Sequence, residues 1–241
     1  RSRSVLPFVG GDQDTQSAAL LYRDAVEFAV GHGVSVTWTS ADGHRAHEVR
    51  TTWLPRTVVR GMSPNGHPLL SAFTGRYPHG LDAAWLAQGK RRDEVTAALR
   101  DFAASYRDWI AKQLHPRLGD FDGDLHKAAV RNYDSCVEAA RRIERGIRIL
   151  ETSDHAWTAF NIANEAMDRQ SRYDIKGDRK GPLRWRPFQL AYILLVLPDL
   201  ACPNDPDGDR ACVDLLWFPT GGGKTEAYLA LTAFQIFHRR L

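Results

Sequence analysis

LLWFPTGGGKTEAYLAL, residues 215–231, is the stretch whose reading decides the fold. The apolar run CVDLLWF, residues 212–218, has the length and near-continuous hydrophobicity of a strand buried on both faces of a parallel sheet. PTGGGK follows as a glycine turn, and from Thr225 the sequence becomes apolar and helix-favouring. Strand, loop and helix in that order predict an α/β unit whose loop runs into the N-terminus of a helix.

Gly221, Gly222 and Gly223 carry no side chains and tolerate positive φ, so their amides can close around phosphate oxygens. Lys224 is placed to set its charge on the β and γ phosphates and Thr225 to offer its hydroxyl to Mg²⁺, with the helix N-terminus behind them favouring an anion. Thr220 opens the loop. The spacing follows the Walker A pattern GxxxxGK[ST] except at its first glycine, where Phe218 stands. Helicases of superfamily 2 relax that position in A-x-T-G-x-G-K-T, and FPTGGGKT resembles this form at every other place. A glycine turn that binds nothing is the competing reading, and Lys-Thr in register between a buried strand and an apolar helix argues against it. ATP and Mg²⁺ are therefore the expected cofactors. Lys224 and Thr225 are the expected catalytic pair, with Thr225 as the metal contact.

Upstream, WRPFQ places Arg186 and Gln189 one helical turn apart at the start of RPFQLAYILLVLP. Pro187 suits the first position of a helix and Pro198 does not suit its interior, so the helix is expected over residues 187–198. A glutamine amide donates and accepts at once, which matches the N6 and N7 edge of adenine. WRPFQ resembles the adenine-reading Q motif of superfamily 2, in the F-R-P-x-Q form of RecQ-type helicases. Two readings stand for Arg186 and Gln189: adenine contact, or the polar edge of a buried helix.

Working outward, residues 14–30 carry Ala18, Leu21, Ala25 and Phe28 at helical spacing, ended by Gly31-His32-Gly33. Val34, Val36 and Trp38 alternate up to Asp42-Gly43, and His47, Val49, Thr51 and Trp53 alternate after it, which predicts a β-hairpin. Residues 55–80 are punctuated by proline and glycine and are expected to be irregular, apart from a short strand at 57–59. Three helices are expected from the apolar stripes at 95–110, 125–147 and 156–167. On the second of them Glu138 with Arg142, and Glu144 with Arg148, are spaced four apart and are expected to face water.

From Arg169 to Arg186 the sequence turns basic and loses helical periodicity. It reads either as a linker at a domain boundary or as a track for a nucleic-acid backbone, with Tyr173 or Trp185 available for stacking. The expected division is 1–80, a helix with a hairpin; 81–170, a helical subdomain; and 171–241, the opening of a nucleotide-binding α/β domain. A polar, aspartate-rich loop is expected at 201–211.

Composition narrows the classes. Hydrophobic residues make up 43%, enough for a sizeable core, yet no apolar run approaches the roughly 20 residues of a membrane span. Cys136, Cys202 and Cys212 form no CxxC pair, so a reducing cytoplasm is expected and a disulfide framework is not. The net charge of +3 is too small to imply nucleic acid by itself. FDGDL and NDPDGDR lack the full calcium-loop pattern and read as turns.

WRPFQLAYILL, VDLLWFPTGGGKTEAYLAL, FAVGHGVSVTW and RTTWLP together resemble the DrmA-type helicase subunits of the bacterial DISARM antiphage system. The resemblance implies an ATP-dependent DNA helicase or translocase of superfamily 2, with DNA and a second protein subunit as partners, in antiphage defence. It also implies that residues 171–241 open a RecA-like domain whose D-E-x-x and arginine motifs lie after Leu241. The chain, which begins at Arg1 and ends in an expected helix, is then the front portion of a longer motor and is expected not to hydrolyse ATP alone. The alternative class is a nucleotide-gated interaction module, in which the loop switches a protein assembly without moving DNA.

Overall fold

A computed structural model describes residues 3–4, 12–24, 26–29, 31–54, 63–173, 181–204, 213–217 and 222–241. Two compact units divide the chain, one of residues 1–60 with 112–135 and one of residues 61–111 with 136–241.

In the first unit, β1 (Arg3–Ser4) pairs antiparallel with β2 (Val26–Glu27), and α1 spans Gln13–Leu21. Asp12 caps α1 by accepting from the Thr15 amide at 2.9 Å and its hydroxyl at 2.7 Å, which holds the Asp12 carboxyl below its usual range. The helix is shorter than its apolar spacing suggests. Leu20 rather than Leu21 is buried, packed with Ala128 and Ala129, and Arg23 bonds the Leu20 carbonyl at 2.9 Å just past the helix end. Phe28, expected on the helix, instead meets Trp38 edge to face. That tryptophan lies on β3 (Ser35–Ser40), which forms the expected hairpin with β4 (Ala46–Thr52). Gly43 takes φ +70°, and the Asp42 carboxylate accepts from the amides of His44 and Arg45 at 2.8 and 2.9 Å, closing the turn from inside.

The second unit is helical. It holds α2 (Pro68–Arg76), α3 (Ala83–Leu86), α4 (Arg92–Trp109), α6 (Asp154–Ser171), α7 (Pro187–Ala201) and α8 (Lys224–His238), with the later part of α5 (Gly123–Thr152). The three helices expected from apolar stripes are α4, α5 and α6. Phe73, Leu86, Leu99, Ile147, Phe160, Trp185, Leu194 and Phe234 are fully buried in one shared core. Helix α2 departs from the irregular structure expected over 55–80: Pro68 sits in its first turn, where a missing amide costs nothing, and Phe73 anchors it in the core. The strand expected at 57–59 lies outside the described residues.

Helix α7 runs to Ala201, past the expected stop at Pro198. A proline here frees the carbonyl four residues earlier, that of Leu194. That carbonyl lies so close to Gly146 of α5 that an added Cβ would sit 2.1 Å from the oxygen. The close approach of backbone to backbone fixes a glycine within a 30-residue helix.

Two further expectations are corrected. Arg142 does not face water: its side chain is 8% exposed and reaches Asp199 and Asp214, while Glu138 pairs with Arg141 and Glu144 with Arg107 of α4. The run 212–218 is not a buried strand over its described part, residues 213–217, which have no regular structure. A strand requires a neighbour for its amides and carbonyls, and no strand of the described residues lies beside this one. Its side chains still alternate, with Val213, Leu215 and Trp217 exposed and Asp214 and Leu216 turned inward. Leu216 lines an apolar cavity of about 560 Å³ with Phe73, Phe102 and Tyr106. Cys212 and Phe218 lie outside the described residues. The described chain is mostly helical with an antiparallel hairpin, which suits an α/β class with helical bulk.

Candidate nucleotide cleft

The cleft begins with a strap. Trp185 donates its amide to Leu81 O at 2.8 Å, Ala83 donates to Leu183 O at 3.0 Å, and Arg184 bonds the Asp82 carboxylate at 2.6 Å and Pro78 O at 3.1 Å. Asp168 of α6 accepts from the Leu183 amide at 3.0 Å. Trp185 is buried, its indole N–H on Asn164 Oδ1 at 2.8 Å, so it is a core anchor and not the stacking surface the sequence offered. Tyr173 is 80% exposed. Arg184 is committed to an acidic partner in the fold. Residues 174–180, the centre of the basic stretch, lie outside the described residues.

The strap delivers Arg186 to the N-cap of α7 in an extended conformation, with Pro187 next. Gln189 reaches back so that its Oε1 accepts from the Arg186 amide at 2.8 Å, the glutamine half of a capping box. The rest of both side chains turns to the loop before α8. Arg186 Nη1 donates to Gly222 O at 3.0 Å, and Gln189 Nε2 donates to Gly223 O at 2.6 Å. Two stretches more than thirty residues apart in sequence are thereby joined, as the spacing of the motifs required of any common site.

Gly223 caps α8 with φ +80°. A Cβ there would lie 2.7 Å from Gln189 Nε2 and 3.1 Å from Glu226 Oε2, so backbone conformation and space both demand glycine. Behind it the first amides of α8 form the positive end of the helix dipole. Lys224 opens the helix and Thr225 is exposed beside it. Arg186, Gln189, Gly222, Gly223, Lys224 and Thr225 border an open cleft of about 600 Å³, completed by Leu183, Arg184 and Glu226. Thr220 and Gly221 lie outside the described residues.

Gln189 is 4% exposed, and its amide already spends one donor and one acceptor on the protein. One N–H and one lone pair are left for any ligand. Arg186 is the more open of the two. Sequence reasoning missed Glu226, the third residue of α8, whose Oε2 is shielded from solvent without a hydrogen-bond partner. Its only trace in the sequence is an acid in the first turn of a helix. The arrangement can hold an anion: a left-handed glycine cap, a helix N-terminus and the side chains of Arg186 and Lys224 border one cleft, beside the Glu226 carboxylate and Arg184, which is bound to Asp82.

Among the described residues no group of His, Cys, Asp and Glu is placed to hold a metal ion, and no helix is long and apolar enough to cross a membrane. Cys136 and Cys202 are free thiols.

No family model matches the chain. It is 36% identical over 235 residues to a curated protein of Bacillus paralicheniformis, the DISARM protein DrmA, a match that takes in 92% of this chain. The chain spans 20% of that relative's length.

Proposed function

The chain is a relative of the DISARM protein DrmA along nearly its whole length, and from that premise we propose that it carries the ATP-binding loop of a superfamily 2 motor acting in antiphage defence. The observation that carries this reading is the pair of bonds from Arg186 and Gln189 to the carbonyls of Gly222 and Gly223. They brace the loop from the side where adenine recognition was expected. In this reading residues 171–241 open a RecA-like domain, Lys224 meets the β and γ phosphates, and the Thr225 hydroxyl contacts Mg²⁺. ATP with Mg²⁺ supplies the phosphoryl group whose transfer drives movement. The chain's own residues bind and orient it: the loop amides and α8 N-terminus face the phosphates, Arg186 adds charge, and Gln189 fixes the loop. DNA and a second protein subunit are the proposed partners of the whole protein.

ATP binding to this chain, measured by calorimetry with and without Mg²⁺, tests the reading. Binding by the parent protein and its loss in Lys224→Ala, with the fold intact by circular dichroism, is the expected result. Equal binding by the two would remove Lys224 from the site. Mg²⁺ should tighten ATP in the parent and much less in Thr225→Ala.

A further inference from the structure

The phosphate loop is anchored behind by Arg186 and Gln189. A second anchor lies ahead of it. Arg142 of α5 presents its guanidinium to Asp214 in a two-pronged pair, Nη1 to Oδ1 at 2.6 Å and Nη2 to Oδ2 at 2.7 Å, and Nη2 also reaches Asp199 near the end of α7 at 3.2 Å. The three side chains are 8%, 22% and 15% exposed, so the charges are largely out of water and depend on one another.

Asp214 belongs to residues 213–217, which lead toward the loop and have no sheet partner among the described residues. With Val213, Leu215 and Trp217 all exposed, the segment is held from within by Leu216 and by this ion pair. A planar fork bound at both prongs fixes direction as well as distance, which a single apolar contact does not. Tyr192 of α7 stands by: its phenol is pushed up by burial, then by Tyr228 and by the charge of Asp214.

We propose that Arg142 is a positioning residue for the nucleotide cleft, seating the segment that enters the phosphate loop through Asp214 while Asp199 holds its guanidinium in orientation. The proposal rests on the reading of the cleft as an ATP site and adds a link from that site to helix α5. A link of this kind is reciprocal: if the seated segment favours ATP, ATP favours the seated segment.

The test uses Arg142→Lys, which keeps the charge and loses the fork, and Asp214→Asn, which keeps the shape and loses the charge. ATP affinity, thermal stability and hydrogen exchange at residues 213–217 are measured on each. The expected result is ATP binding weakened by about 5- to 150-fold in variants that remain folded, the usual range of coupling between sites. ATP should also slow exchange at 213–217 in the parent and not in the variants. A purely structural pair would lower the melting temperature and leave both readouts unchanged, which overturns the proposal. A parent chain that binds no ATP overturns the nucleotide reading itself, and the proposal with it. A parent that binds ATP, with folded variants that bind it equally, overturns the tether alone.

Discussion

Replacing Gly146 by alanine sets two effects of opposite sign against each other. In an exposed helix interior the change would stabilise by about 1 kcal/mol, because alanine has the higher helix propensity. At this site the new Cβ would lie 2.1 Å from Leu194 O, 3.0 Å from Leu194 C and 3.4 Å from Leu194 Cα. All three atoms are backbone, so no rotamer change relieves the clash. Restoring ordinary contact requires the two helices to part by roughly an ångström, and a gap of that size forfeits about a quarter to a half of the dispersion attraction across it. The overpacking penalty, typically about 1 to 3 kcal/mol and larger for backbone, exceeds the propensity gain. A net loss of about 2 kcal/mol is expected. Urea unfolding followed by far-ultraviolet circular dichroism measures it. Gly75→Ala is the internal control, since a Cβ at Gly75 of α2 meets nothing within 4 Å and that variant should be as stable as the parent or more so. A Gly146→Ala protein of parental stability would refute the close approach of α5 and α7.

Gly223→Ala should weaken ATP binding strongly and cost about 1 kcal/mol or more of stability, because both the positive φ and the Gln189 amide oppose a side chain; unaltered ATP binding by calorimetry would count against the cap geometry. Trp185→Phe removes the donor to Asn164 Oδ1 and should cost about 1 to 3 kcal/mol in urea unfolding, the cost of a buried acceptor left unmet. The His238 imidazole is held below its ordinary value of 6.5, by burial first and by the charge of His155 second. A depressed histidine favours its neutral form in the fold, so its contribution is present above that ordinary value and is lost as pH falls through the folded value. Thermal melts should therefore show a smaller drop on acidification for His238→Gln than for the parent, and parallel curves would exclude the effect.

What could be read in the sequence was what local chemistry dictates. Asp42-Gly43 between two alternating runs specifies a hairpin turn without outside help, and the stripe from Val95 to Ile110 specifies a helix because one face must be buried. Helix α2 was hidden because Pro68 reads as punctuation until its place in the first turn is known. Arg142 was misread for a different reason. Its spacing from Glu138 is that of a surface pair, while its actual partners lie 57 and 72 residues away and leave no local pattern. Residues 213–217 have a strand's composition, but pairing is a property of neighbours and not of the segment alone. For the cleft, the glycines and Lys224 carry the pattern from which a phosphate loop is expected. That Gln189 would be bound to Gly223 O, and that Glu226 would border the same space, depends on tertiary placement that no motif encodes.

The strap that joins residues 81–83 to 183–185 also bears on the order in which the molecule assembles. Asp82 and Arg184 are 102 residues apart, so bringing them together closes a long loop before any contact repays the closure. Asp168 on α6 supplies the acceptor that receives the Leu183 amide when this loop closes. Arg186 and Gln189 follow the strap directly and acquire their places only when it docks. Closure of the strap is therefore also a condition for the candidate cleft, and a chain in which it had not docked would leave the Gly222 and Gly223 carbonyls without their braces.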